Sequence, residues 1–122
     1  MHRPAPSYAE RRTEPRTNVS APARMFHGTG LALWADCTIR DLSASGARIE
    51  LPQIHVAPSR FVLLNFEAGL VYEALLKWRR GSMAGMSFEA VHRAETTRDP
   101  RLQPVRDQWL ALRGGFTARS QD

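Results

Sequence analysis

Residues 41–51 read DLSASGARIEL, and the reading of this stretch decides the fold. Its second half alternates, with Ala47, Ile49 and Leu51 on one face and Arg48 and Glu50 on the other. That is the period of two expected of a strand with one buried and one wet side. Its first half puts a carboxylate, a hydroxyl and a glycine (Asp41, Ser43, Gly46) where the preceding strand must turn. Asp and Ser side chains satisfy turn backbone and Gly supplies a conformation that other residues resist; the same groups also make a compact polar site.

Outward from this stretch, runs with β character cover 19–26, 31–40, 47–51, 60–66, 70–79 and 85–90, separated by Gly, Pro, Ser or Asp. Six short strands at this spacing predict a mainly β fold, a six-stranded antiparallel barrel. In the fifth run Leu70, Tyr72, Ala74, Leu76 and Trp78 are expected to face inward and Glu73 and Lys77 outward, leaving one wet face. Glu67, Ala68 and Gly69 read as a hairpin connection with Gly at positive φ. The period then changes: Leu102, Val105, Trp109 and Leu112 recur at helical spacing, Asp99 is placed to cap, Pro100 suits the first position and Gly114 the stop. Trp109 is expected to anchor this helix on the barrel. The organisation expected is a flexible tail over 1–9, one domain over 10–113 whose first residues form a flexible charged arm, ERRTEPR, and a flexible tail over 114–122.

The 122 residues suit one domain with its own core. Cys37 is the only cysteine, which excludes an internal disulfide framework and every CxxC metal or redox motif; it reads as a small core residue, and a reducing cytoplasm is the expected compartment. No stretch is long and apolar enough to span a membrane, and no secretory signal is expected. His2, His27, His55 and His92 are scattered without metal-ligand spacing, so no metal, no cofactor and no catalytic residue is expected. Of 17 cationic side chains only Lys77 is lysine, and the formal net charge is +5. Arginine offers a planar fork that grips phosphate or a guanine edge with two hydrogen bonds, so an anionic partner is indicated.

Arg12 and Arg16 lie four apart in the charged arm, with Arg11 directly before them, and DLSASG follows after the first strand pair. In this order the two patterns resemble the PilZ domain, a bacterial receptor module for cyclic di-GMP, whose RxxxR loop and [D/N]xSxxG motif are matched here by Arg12, Arg16, Asp41, Ser43 and Gly46. The resemblance extends through VLLNF, LLKWRRG and AGMSF. It implies a stand-alone receptor that binds cyclic di-GMP and acts through a separate effector protein in motility, exopolysaccharide synthesis or biofilm control. Arg12 and Arg16 are assigned to the guanine Hoogsteen edge and phosphates, Asp41 to the guanine Watson–Crick edge, Ser43 to a phosphate or guanine hydrogen bond and Gly46 to close backbone approach. Arginine at the position of Arg11 is associated in the family with a stacked pair of ligands, which implies two molecules per protomer. Arg48 either adds to the site or lies on a solvated strand face.

Two other readings are open. A basic β-barrel binding single-stranded nucleic acid needs exposed aromatic rings among arginines; Phe61, Phe66, Tyr72 and Trp78 fall among apolar neighbours instead, which makes nucleic acid the weaker reading. A PilZ-like interaction module that does not bind nucleotide is the other.

Overall fold

The computed structural model describes the backbone of residues 17–121 and the side chains of residues 17–112. Its order is β1 (Thr17–His27), a 3-10 turn (Thr29–Leu31), β2 (Leu33–Leu42), β3 (Gly46–Glu50), β4 (Arg60–Asn65), β5 (Leu70–Arg80), β6 (Met83–Arg93), a second 3-10 turn (Pro100–Leu102) and α1 (Gln103–Gln121). All strand pairs are antiparallel, and the neighbours β1-β2-β3-β6-β5-β4 close on themselves as a barrel. The mainly β class with one C-terminal helix is the class expected. The whole of the segment 10–16, with Arg11, Arg12 and Arg16, lies outside the described residues, as does the tail over 1–9.

Two apolar clusters hold the fold. The barrel lumen is filled by alternate residues of every strand, among them Met25, Ile39, Ile49 and Leu63, all fully buried. The second cluster lies outside the barrel wall, where Phe26, Val62, Leu64, Phe66 and Val71 are covered by Leu102, Val105 and Trp109. The continuous apolar run of β4 follows directly, because Phe61 and Leu63 face the lumen while Val62 and Leu64 face the helix. The same covering corrects the expectation of one wet face for β5: Val71 is fully buried against the outer cluster.

The helix begins as its residues dictate. The Asp99 carboxylate accepts from the backbone N–H of Arg101 at 3.0 Å, and Pro100 occupies the first turn. Trp109 is buried, and its indole N–H donates to the Phe66 carbonyl at 3.1 Å. The helix does not stop at Gly114 but continues to Gln121. Glycine in a helix interior costs only about 1 kcal/mol, and no proline follows to end it. Gly69 takes the expected positive φ, 67°, in the β4–β5 connection.

Three β-bulges shape the face that matters below. Arg40 is the extra residue where β2 passes β3, Lys77 where β5 passes β6, and Glu89 where β6 passes β5. A bulge breaks strict alternation, so residues beyond it change faces.

Candidate functional site

The turn between β2 and β3 is tied at three points. The Ser43 backbone N–H and hydroxyl both donate to the Gly46 carbonyl, at 2.9 and 3.3 Å, and the Phe88 N–H donates to the Ser45 carbonyl at 2.8 Å. A Cβ at Gly46 would lie 2.4 Å from the Met86 carbonyl oxygen. The close backbone approach that requires glycine is therefore to β6. Ser43 is buried with its hydroxyl turned into this loop, and it is Ser45 that lines the neighbouring cavity. Ser43 and Gly46 thus fix the turn, and the turn fixes Asp41 at the end of β2.

From Asp41 a single row crosses four strands. Asp41 is the partner of Arg48, Arg48 of Gly85, and Gly85 of Trp78. Trp78 is the main departure from the sequence reading: it is 43% exposed and lies on the outer face. The Lys77 bulge carries it out of the inward set, and Gly85 leaves the space its ring occupies, since a Cβ there would lie 2.2 Å from the indole nitrogen. Over the row is a cavity of about 250 Å³ with Asp41, Ser45, Arg48, Lys77, Trp78 and Ser87 on its walls. Arg48, left open between site and solvated face, belongs to the cavity.

The geometry has definite chemistry. Arg48 Nη2 lies 3.8 Å from Asp41 Oδ2, close enough to orient both and too far for a hydrogen bond. The cavity therefore offers an anionic acceptor at one end, two cations, two hydroxyls and an aromatic face at the other. Such a set is chemically suited to a planar heterocycle whose edge donates N–H groups and whose substituent is anionic. Asp41 and Gly46 are brought to the cavity, Ser43 stands behind it, and Arg11, Arg12 and Arg16 are outside the described residues. Sequence reading missed Trp78, Lys77, Ser45 and Ser87; the one available signal was the tryptophan in LLKWRRG with a glycine at residue 85, and the bulge that unites them is not written in the alternation.

Tertiary contacts also assemble polar groups elsewhere. Glu73, His92 and Asp99 bring ligand atoms within 4.8 Å of one another. The Arg101 guanidinium donates to both carboxylates, at 3.0 Å to Glu73 and 2.6 Å to Asp99, so a cation already serves them. Its hydrogen bonds hold the Asp99 carboxyl down at about 2, and Arg101 followed by His92 lowers Glu73. Cys37 is buried as a core residue, and desolvation pushes its thiol up to about 12. Trp34 is partly exposed beneath the Arg24 guanidinium, 3.7 Å from its ring centroid, a stack that also carries the Arg24–Asp36 ion pair.

No described helix is long and apolar enough to cross a membrane. Comparison with curated proteins gives no match. The family model of the PilZ domain matches residues 10–99, a span that takes in the charged arm, all six strands and every wall of the cavity. The chain belongs to the PilZ domain family.

Proposed function

We propose that this protein is a non-catalytic receptor for cyclic di-GMP, which binds over the Asp41–Arg48–Gly85–Trp78 row and is completed by the arginines of the arm. The observation that carries the reading is that row. It puts a carboxylate acceptor, a cation and an exposed indole seated over Gly85 in line on one barrel face. A guanine presents N1 and N2 hydrogens to Asp41, its ring stacks on Trp78, and a phosphate meets Arg48 and Lys77. Arg16 is one peptide bond from Thr17, which pairs with Leu42 next to Asp41, and this point of attachment supports a role for the arm at the same end of the row. Arg12 and Arg16 then supply forks for the guanine Hoogsteen edge and the phosphates, and Arg11 a third guanidinium for a second, stacked ligand. Ser43 and Gly46 act by holding the turn that presents Asp41 and Ser45.

Like charges at Arg11, Arg12 and Arg16 repel one another until the ligand's phosphates neutralise them, so binding draws the arm onto the barrel and alters the surface offered to an effector protein in the cytoplasm. Calorimetric titration with cyclic di-GMP tests the reading, with GTP and an Arg12→Ala, Arg16→Ala double variant as controls. Saturable binding lost in the double variant is the expected result, with a stoichiometry near two if Arg11 has the role given to it. Absence of heat from a folded protein would overturn the reading in favour of an interaction module that binds no nucleotide.

A further inference from the structure

We propose that the barrel end crossed by the β3–β4 connection docks on an anionic lipid bilayer, independently of the nucleotide reading. Three segments meet at this end: 27–33 between β1 and β2, 51–60 leading into β4, and 77–83 around the β5–β6 hairpin. The His27 and His55 rings are 6.1 Å apart edge to face, the Leu51 N–H donates to the Ser82 carbonyl at 2.7 Å, and Arg79 donates to the carbonyls of His55 and Pro52 at 3.1 and 3.0 Å.

The three most exposed aliphatic side chains among the described residues belong to segments at this end. Ile54 is 94% exposed, Val56 70% and Leu33 57%. Ile54 sits in a turn closed by the His55 N–H on the Pro52 carbonyl at 3.0 Å, and Arg79 clamps that turn from the neighbouring strand. The apolar tip is therefore presented by a tied, protruding turn, and folding gains nothing from leaving Ile54 in water.

The three segments carry charge of one sign, and Asp36 at their border is ion-paired with Arg24. None of the three segments contains Asp or Glu, while they carry Arg60, Lys77, Arg79 and Arg80. Arg60 is ion-paired with Glu89, and Glu50 at the border is ion-paired with Arg40. Arg79 donates to three carbonyl oxygens and has no carboxylate partner among the described residues. Arg80 is exposed and has no carboxylate partner among the described residues, while Lys77, also exposed, is shared with the cavity over the Asp41–Trp78 row. Cations around a protruding aliphatic tip match an anionic headgroup layer over hydrocarbon, where each cation near the surface and each inserted side chain adds to the attraction. A protein groove would demand a defined complementary shape; a bilayer accepts a convex tip without one.

The test is flotation of the full chain with phosphatidylcholine vesicles with and without phosphatidylglycerol. Binding is expected only with phosphatidylglycerol and is expected to fall as salt rises. An Ile54→Asp, Val56→Asp variant should bind at least about tenfold more weakly, and Arg80→Gln about fivefold. As a second reading of the contact, Ile54→Cys carrying a polarity-sensitive thiol dye should shift to the blue on the same vesicles, the buried Cys37 remaining unlabelled. The proposal is overturned by absence of binding at low salt, by unchanged emission, or by equal binding of the double variant, which would place the contact on other basic residues. A lipid-free dimer lost in that variant would also overturn it and assign the tip to a second copy of the chain.

Discussion

Trp109 and Trp78 each lie against a glycine of the same barrel, Gly69 in the β4–β5 connection and Gly85 in β6, and they meet opposite fates. The Trp109 ring comes within 3.2 Å of a Cβ built at Gly69, and the Trp78 ring within 2.2 Å of one at Gly85. Trp109 is 6% exposed, with its N–H bonded to a backbone carbonyl and its other face covered within the outer cluster. Trp78 has no helix over it, and polar groups from four strands surround its free side. What separates a core ring from an exposed one here is the presence of a second layer, since the glycine seat is common to both.

The largest test of that contrast is truncation of each ring. Trp109→Ala should cost about 3–5 kcal/mol in urea unfolding, because it empties a buried site and leaves the Phe66 carbonyl without its donor. Trp78→Ala should change stability by less than about 1 kcal/mol while weakening cyclic di-GMP on the proposed reading. Equal costs for the two would mean that Trp78 is part of the core and break the comparison.

Next come the glycines. Gly46→Ala drives a Cβ into a backbone carbonyl, which cannot step aside, and should cost about 1–3 kcal/mol. Gly85→Ala meets the Trp78 side chain, which can swing away. Its effect should therefore fall on the ligand, with affinity down about tenfold and the unfolding midpoint nearly unmoved. On the same face Asp41→Ala should lower affinity by about ten- to a hundredfold in calorimetry, the loss of a charge-assisted hydrogen bond.

The two faces also differ in how far they can be read from sequence. The helix face is legible: Leu102, Val105 and Trp109 share one period, Asp99 and Pro100 mark its start, and the unbroken apolar run of β4 records burial on both sides. The turn was legible too, because Asp41, Ser43 and Gly46 are what such a turn requires. The rest of the site was not, since its walls come from β2, β3, β5 and β6 and are aligned by bulges at Arg40 and Lys77. Each bulge shifts the alternation by one residue, so Trp78 reads as inward while it stands outward. The sequence alone does not say which residue is inserted; its partner across the sheet reveals it. The helix end at Gly114 was misread for a simpler reason, that glycine weakens a helix without obliging it to stop.

The smallest expected effect concerns how the helix face is pinned at its edge. Asp99 and Glu73 both accept from Arg101, joining the start of the helical segment to β5. Asp99 titrates at about 2 in the folded protein against an ordinary 3.8. A carboxyl depressed by folding contributes stability that is complete above the unfolded value and is lost as pH falls through the folded one. The pin should therefore hold above about pH 4 and release between 4 and 2, with Glu73, also lowered, adding in the same direction. Asp99 is half-buried but its partner Arg101 is exposed, so water screens the pair and the gain is small. Thermal unfolding measured between pH 5 and 2 should fall less steeply for Asp99→Asn than for the unaltered chain, while the Trp78 face, which lacks this pin, responds alike in both. Identical slopes would mean that Arg101 holds the helix through Glu73 alone.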